Sequence, residues 1–225
     1  MNERKKARVR YCANNMERLT QRDRIFLNNP VMIQGLGLAP IVIAATTMKN
    51  ATILAVAVIL LLTPTRVIAA LLTRGTYFRF RGLTYSLVAA TLYIGVGWVC
   101  IALFGQDIQA VGLYLPLLVV EPIIIKRHER NQKEHVRTAF KKGIFTTIGF
   151  LLVLFFVAGA RELMAFGTLY GKTVLTVIAV PVAQYASGGF IILGLLAALW
   201  RFATNAFKKN INIKMKKIEA EGQQK

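Results

Sequence analysis

Two charged residues in this sequence stand where charge is costly. Glu121 falls inside the apolar run 111–125, and Arg66 falls inside the run 51–72. An ionised side chain at the centre of a bilayer must face protein, water or a partner. A Glu121–Arg66 contact is the simplest arrangement. A protonated Glu121, or one that carries protons or cations, satisfies the same desolvation requirement. A second charged pair, Arg161-Glu162, comes directly after the apolar run 143–160. Adjacent helical residues do not face each other, so the pair is expected to be an outward-facing cap on the stretch RELMAFGTLYGK rather than an ion pair. His128 and His135 lie in a loop carrying seven Lys or Arg between 126 and 142, surroundings that disfavour a metal ion. Cys12 and Cys100 build neither a disulfide framework nor a metal spacing, and Cys100 is expected to pack in a core. No catalytic nucleophile, acid–base pair, phosphate loop or metal-ligand set is present, which argues against an independent enzyme.

The remaining chemistry belongs to the backbone. The stretch Asn28–Pro40, NNPVMIQGLGLAP, opens the first apolar run. Pro30 suits a first helical turn, but Gly35, Gly37 and Pro40 interrupt the helix it would start. In lipid a freed carbonyl finds no water, so such a break persists only where protein or a wet cavity covers it. A second short run, Val111–Ile125, is interrupted by Pro116 and Pro122, and Glu121-Pro122-Ile123-Ile124-Ile125 echoes Ala39-Pro40-Ile41-Val42-Ile43. Paired interruptions at corresponding places point to an inverted repeat with its site near the membrane midplane. The expected site therefore comprises Gln34, Gly35, Gly37, Ala39, Pro40, Pro116, Glu121 and Pro122.

The elements that must position these residues are set by composition. The chain has 225 residues, 55% of them hydrophobic, with a mean hydropathy of +0.50 and a net charge of +19. Its basic residues form blocks between apolar runs rather than one basic face, which excludes a nucleic-acid surface and matches the positive-inside pattern. Apolar runs are expected at 31–48, 51–72, 83–104, 111–125, 143–160 and 174–200. Thr63-Pro64-Thr65-Arg66 is expected to kink or break the second, and Pro181 and Gly188-Gly189 to interrupt the sixth. The expected fold is an all-α membrane protein with six transmembrane helices as a 3+3 inverted repeat, the first helix of each half broken. Its parts are a basic arm (1–29), two three-helix halves (30–104 and 105–200) and a basic helical tail (201–225). The arm is expected to set topology, with an amphipathic helix at 14–27 on anionic headgroups as the alternative, and no cleavable signal peptide is visible. Lys and Arg number eight in the arm, three after the second run, seven in the central loop and seven in the tail, against Lys49, Arg161 and Lys172 on the other side. That asymmetry puts both termini in the cytoplasm.

The same motifs carry a family likeness. NNPVMIQGLGLAP resembles NNxxxVQxLGLCP, the opening motif of the RnfE and NqrD membrane subunits, with matches at Asn28, Asn29, Gln34, Gly37, Leu38 and Pro40. GLYLPLLVVEP, residues 112–122, is similar to the family's GIFIPLIVTNC. Arg161-Glu162 and Gly167-Thr168-Leu169-Tyr170-Gly171 match its RE…GTLxG stretch, which favours the RnfE/NqrD branch over the RnfA/NqrE branch. The likeness spans roughly residues 28–200. It implies a six-span inverted repeat in a prokaryotic plasma membrane. It also implies a place in an ion-translocating electron-transport complex served by ferredoxin or NADH, beside an RnfA/NqrE-like sister. In that family one cysteine from each broken helix helps hold a [2Fe-2S] cluster. Here Ala39 and Pro122 stand at those positions, and neither can ligate iron. No cofactor is therefore expected, and the chain is expected to be a structural or ion-conducting subunit. The alternative is a stand-alone or differently partnered transporter on the same scaffold, with Glu121 in its pathway.

Overall fold

Apolar runs with no polar stripe make helices that suit lipid on the outside and other helices on the inside. The computed structural model describes residues 11–12, 15–16, 19–20, 23–35, 37–112, 114–120, 135–175 and 180–223. Four of its helices are long and apolar enough to cross a membrane: α1 (Met48–Leu72), α2 (Arg81–Phe104), α4 (Val136–Phe166) and α5 (Ala186–Gln223). At about 1.5 Å per residue each exceeds the ~30 Å hydrocarbon thickness. α3 is a single turn, Tyr114–Leu117. The first apolar run is no continuous helix. It is a turn at 30–34, glycines at φ +70° (Gly35) and +73° (Gly37), and a π-helical turn at Pro40–Ala44.

α1 and α4 form the inner pair, while α2 and α5 lie outside them with apolar faces bare. Leu54, Val58 and Leu61 of α1 share one core with Phe150, Val153, Leu154 and Val157 of α4. Small residues bring the two backbones close: a Cβ on Gly143 would lie 3.3 Å from Thr63 Cγ2, and the Thr63 and Thr147 hydroxyls hydrogen-bond at 2.9 Å. Close approach and hydroxyl bonding are what hold helices together where lipid removes the hydrophobic drive. Cys100 is buried in the same core, as expected.

Two expectations about the helices need correction, while the interruption at Pro181 falls where expected. α1 runs through Pro64 without ending, and the neighbouring Thr63 holds it to Thr147 of α4. The last helix starts at Ala186, after Pro181–Gln184 makes a 3₁₀ turn, and continues through Gly188-Gly189 into the tail. Those glycines are contact points, not breaks: a Cβ on Gly188 would sit 2.0 Å from the Val182 carbonyl oxygen.

The end of the basic arm is docked on α4 and α5. Asp23 Oδ1 accepts from the amides of Ile25 (3.0 Å) and Phe26 (3.1 Å), capping the turn after it. Phe26 packs against Trp200 with the ring planes tilted 46° and centroids 4.9 Å apart, and Trp200 Nε1 donates to the Phe26 carbonyl at 3.0 Å. Arg24 Nη1 donates to Thr146 Oγ1 at 3.1 Å. The arm fits because Gly149 has no side chain: a Cβ there would lie 2.5 Å from the Arg24 carbonyl oxygen and 3.3 Å from Asn29 Nδ2. Gly149→Ala should therefore lift the arm from α4 at a cost of roughly 1–3 kcal/mol, the usual range for overpacking. Limited proteolysis is expected to cut the variant faster between residues 18 and 28; an unchanged cleavage rate contradicts the docking.

Candidate functional site

A broken helix in lipid presents an accounting question: which donors reach the carbonyls it frees. Around the first interruption they come both from nearby residues and from side chains on distant elements. The Ile33 carbonyl accepts from Arg201 Nη2 at 2.9 Å, and the Ala44 carbonyl from Asn50 Nδ2 at 3.3 Å. The Pro40 carbonyl accepts the amide of Ala45 at 3.3 Å, the wide turn of a π-helix. The Val42 and Ala45 carbonyls both accept from Nη1 of Arg161.

Arg161 is the centre of the arrangement. Its side chain has 0% exposure, deep between α4, the turn Pro40–Ala44 and the turn Pro181–Gln184. Nε donates to the Ala183 carbonyl at 3.1 Å, and Nη2 to those of Gln184 (3.4 Å) and Tyr185 (3.3 Å). Glu162 turns the other way. Its Oε2 accepts the amide of Met48, at the start of α1, at 2.6 Å. Its Oε1 accepts the Thr168 hydroxyl (3.1 Å) and the Gly171 amide (2.9 Å). The carboxylate thus faces the positive end of α1 and fastens the antiparallel hairpin β1 (Thr168–Leu169) and β2 (Lys172–Thr173). Tyr170 (φ 55°) and Gly171 (φ 76°) form its two-residue turn, and Gly167 (φ 66°) ends α4. The expected outward-facing cap is therefore wrong: both residues are buried, each with its own set of partners.

The expected midplane residues fare unevenly. The turn Pro40–Ala44 does pack on α3, with Ile41 and Val42 in one apolar cluster with Leu115 and Leu118. Pro40 and Gly37 are buried, Ala39 is half-buried at the head of the π-helical turn, and Gly35 and Pro116 are exposed. Gln34 has a structural task, donating from Nε2 to Asn28 Oδ1 at 3.0 Å. Arg66 is buried in α1, its side chain close to Gly143 of α4. Glu121, Pro122 and His128 lie outside the described residues, so the Glu121–Arg66 contact does too. The crevice between α1, α4 and the end of α3 is apolar, lined by Val58, Leu61, Leu62, Leu118 and Phe150.

An iron–sulfur cluster needs thiolate ligands, and Ala39 offers a methyl group where the family motif has one. Cys100 lies buried among Val96 and other apolar side chains of the core. Among the described residues no three His, Cys, Asp or Glu side chains stand close enough to share a metal ion. Neither Ala39 nor Pro122, at the two cysteine positions of the family motif, carries a thiolate. Sequence reasoning singled out Arg161 but missed its role, although a signal existed: freed carbonyls require N–H donors, and this residue carries five.

Comparison with known proteins places the chain among membrane proteins. Residues 19–197 match the family described as Rnf-Nqr subunit, membrane protein. The E subunit of the ion-translocating oxidoreductase complex of Shewanella frigidimarina is 31% identical over 215 residues, covering 87% of this chain and 90% of that protein. Its namesake in Shewanella oneidensis is 30% identical over 192 residues, covering 78% and 82%. That of Buchnera aphidicola is 27% identical over 204 residues, covering 84% and 90%. The match takes in the interrupted run at 28–45, the Arg161-Glu162 pair and the hairpin that pair anchors, and by its extent this chain belongs to the Rnf-Nqr family of membrane subunits, on the RnfE/NqrD side.

Proposed function

We propose that this chain is an integral membrane subunit of an ion-translocating electron-transport complex, a non-catalytic scaffold without an iron–sulfur cluster of its own. It crosses the membrane six times as two three-helix halves of opposite sense, with both termini and the basic loops at the cytoplasmic face among anionic headgroups. A sister subunit of RnfA/NqrE type covers the bare faces of the outer helices. What carries the reading is the near full-length similarity to the E subunits of such complexes, joined to Ala39 and Pro122 at the two cysteine positions. The scaffold's tethers are in place, since Asn29, Gln34 and Arg161 all fasten the first interrupted run. The residue that would relay electrons through it is not.

Tagged full-length chain, solubilised mildly from its native membrane, is expected to bring down other membrane subunits. The same chain expressed alone should contain no stoichiometric iron and no visible charge-transfer band. A cluster on the isolated chain overturns the cofactor claim. Recovery of the chain alone from its native membrane, together with a cation flux in liposomes that Glu121→Gln abolishes, replaces the complex-bound reading with the transporter reading. Thiol labelling of single cysteines placed at Asn50 and Lys172 from outside, and at Gln223 from inside only, checks the topology.

A further inference from the structure

Arg161 does more than tie two turns together, because the shape and charge of its surroundings are those of a cation site. A guanidinium has five N–H bonds. All five are used here: one from Nε to Ala183, two from Nη1 to Val42 and Ala45, two from Nη2 to Gln184 and Tyr185. Every acceptor is a backbone carbonyl. Among the described residues no carboxylate touches the charge, and the neighbouring Glu162 is spent on Met48, Thr168 and Gly171. A buried positive charge is thus balanced by converging neutral dipoles alone. That is how membrane proteins hold a dehydrated alkali ion, using carbonyls of unwound helix in place of its hydration shell. The carbonyls act at close range; the macrodipole of α5 has its positive end here and cannot be what stabilises the charge.

The site is also built to admit the charge. A Cβ on Gly189 would lie 2.9 Å from Arg161 Cζ and 3.0 Å from the Val42 carbonyl oxygen. Glycine leaves that space to the guanidinium.

We propose that the interrupted segments 42–45 and 183–185 form a monovalent-cation site for which the chain supplies its own cation, the side chain of Arg161. The tethered charge fills the site at any sodium or potassium concentration and locks the two segments together. Removing the side chain leaves a carbonyl cage that takes a guanidinium or alkali ion from solution. This inference stands apart from membership of any complex, because its readout is made on the full chain by itself.

The test is thermal unfolding of the full chain in detergent. It is run in choline chloride and at equal ionic strength in sodium chloride, potassium chloride, or choline chloride with low millimolar guanidinium. Wild type should unfold at one temperature in all four. Arg161→Ala should unfold earlier in choline and regain at least half of the loss, saturably, with guanidinium or an alkali ion. Adding Gly189→Ala to that variant should abolish the rescue, because its methyl group takes the vacated space. A folded Arg161→Ala protein that no cation rescues overturns the proposal. Should that variant fail to fold, Arg161→Lys and Arg161→Met are compared for yield of monodisperse protein. The charged lysine is expected to give several-fold more, and equal yields overturn the proposal.

Discussion

Glu162→Ala is expected to be among the most damaging single substitutions in this chain, at roughly 2–4 kcal/mol, because it takes the acceptor from three part-buried donors at once. The carboxylate is 2% exposed and accepts from the Met48 amide, the Thr168 hydroxyl and the Gly171 amide. With alanine there, the Met48 amide at the start of α1 loses its acceptor. The hairpin loses its anchor to α4 in the same step. Glu162→Gln separates the two contributions. A glutamine can present its oxygen to the hairpin or to Met48, but its amino group then meets an N–H at the other end. The loss should be about half that of alanine. Urea or thermal unfolding in detergent checks the order wild type, Gln, Ala. A glutamine variant as stable as wild type contradicts the two-sided role.

That pair also marks where the sequence is legible and where it is not. Interruptions announce themselves locally, since glycine and proline act on their own backbone. Gly35, Gly37, Pro40 and Pro181 all fall where regular α-helix stops. What covers an interruption is not local. Arg161 reaches carbonyls at 42 and 45 on one side and 183 to 185 on the other, and nothing in its neighbourhood of sequence indicates either. Judged by adjacency alone, Arg161-Glu162 is a surface cap; judged by unpaired carbonyls, it is an anchor.

Pro64 and Gly188-Gly189 show the converse error. Each has the composition of a break, and each lies inside a continuous helix because a packed neighbour changes its meaning. Thr63 pairs with Thr147 beside the proline, and Gly189 leaves room for a guanidinium. In a bilayer, small residues and prolines report close contact as often as they report a break. The motif residues Asn28, Asn29 and Gln34 are legible as a family signature, yet the physical reason for Asn29 emerges only once α4 is in place.

Asn29 makes that reason testable. Its Oδ1 accepts from the amides of Val31 (2.9 Å) and Met32 (3.2 Å), an N-cap with Pro30 as the first residue of the turn. Its Nδ2 donates backwards to the Ile25 carbonyl (2.8 Å) and across to the Gly149 carbonyl of α4 (2.9 Å). At an ordinary N-cap aspartate is as good as asparagine, and alanine costs about 1 kcal/mol. Here the side chain is 0% exposed and both of its ends are engaged. Asn29→Ala should therefore cost roughly 3–5 kcal/mol, the cap together with two stranded carbonyls. Asn29→Asp keeps the cap but aims a carboxylate at the carbonyls of Ile25 and Gly149, so it should be at least as damaging as alanine. Thermal unfolding of the two variants decides between the roles. Aspartate near wild type means that Asn29 is only a cap, whereas aspartate at or below alanine means that its amide is what holds the interrupted run against α4.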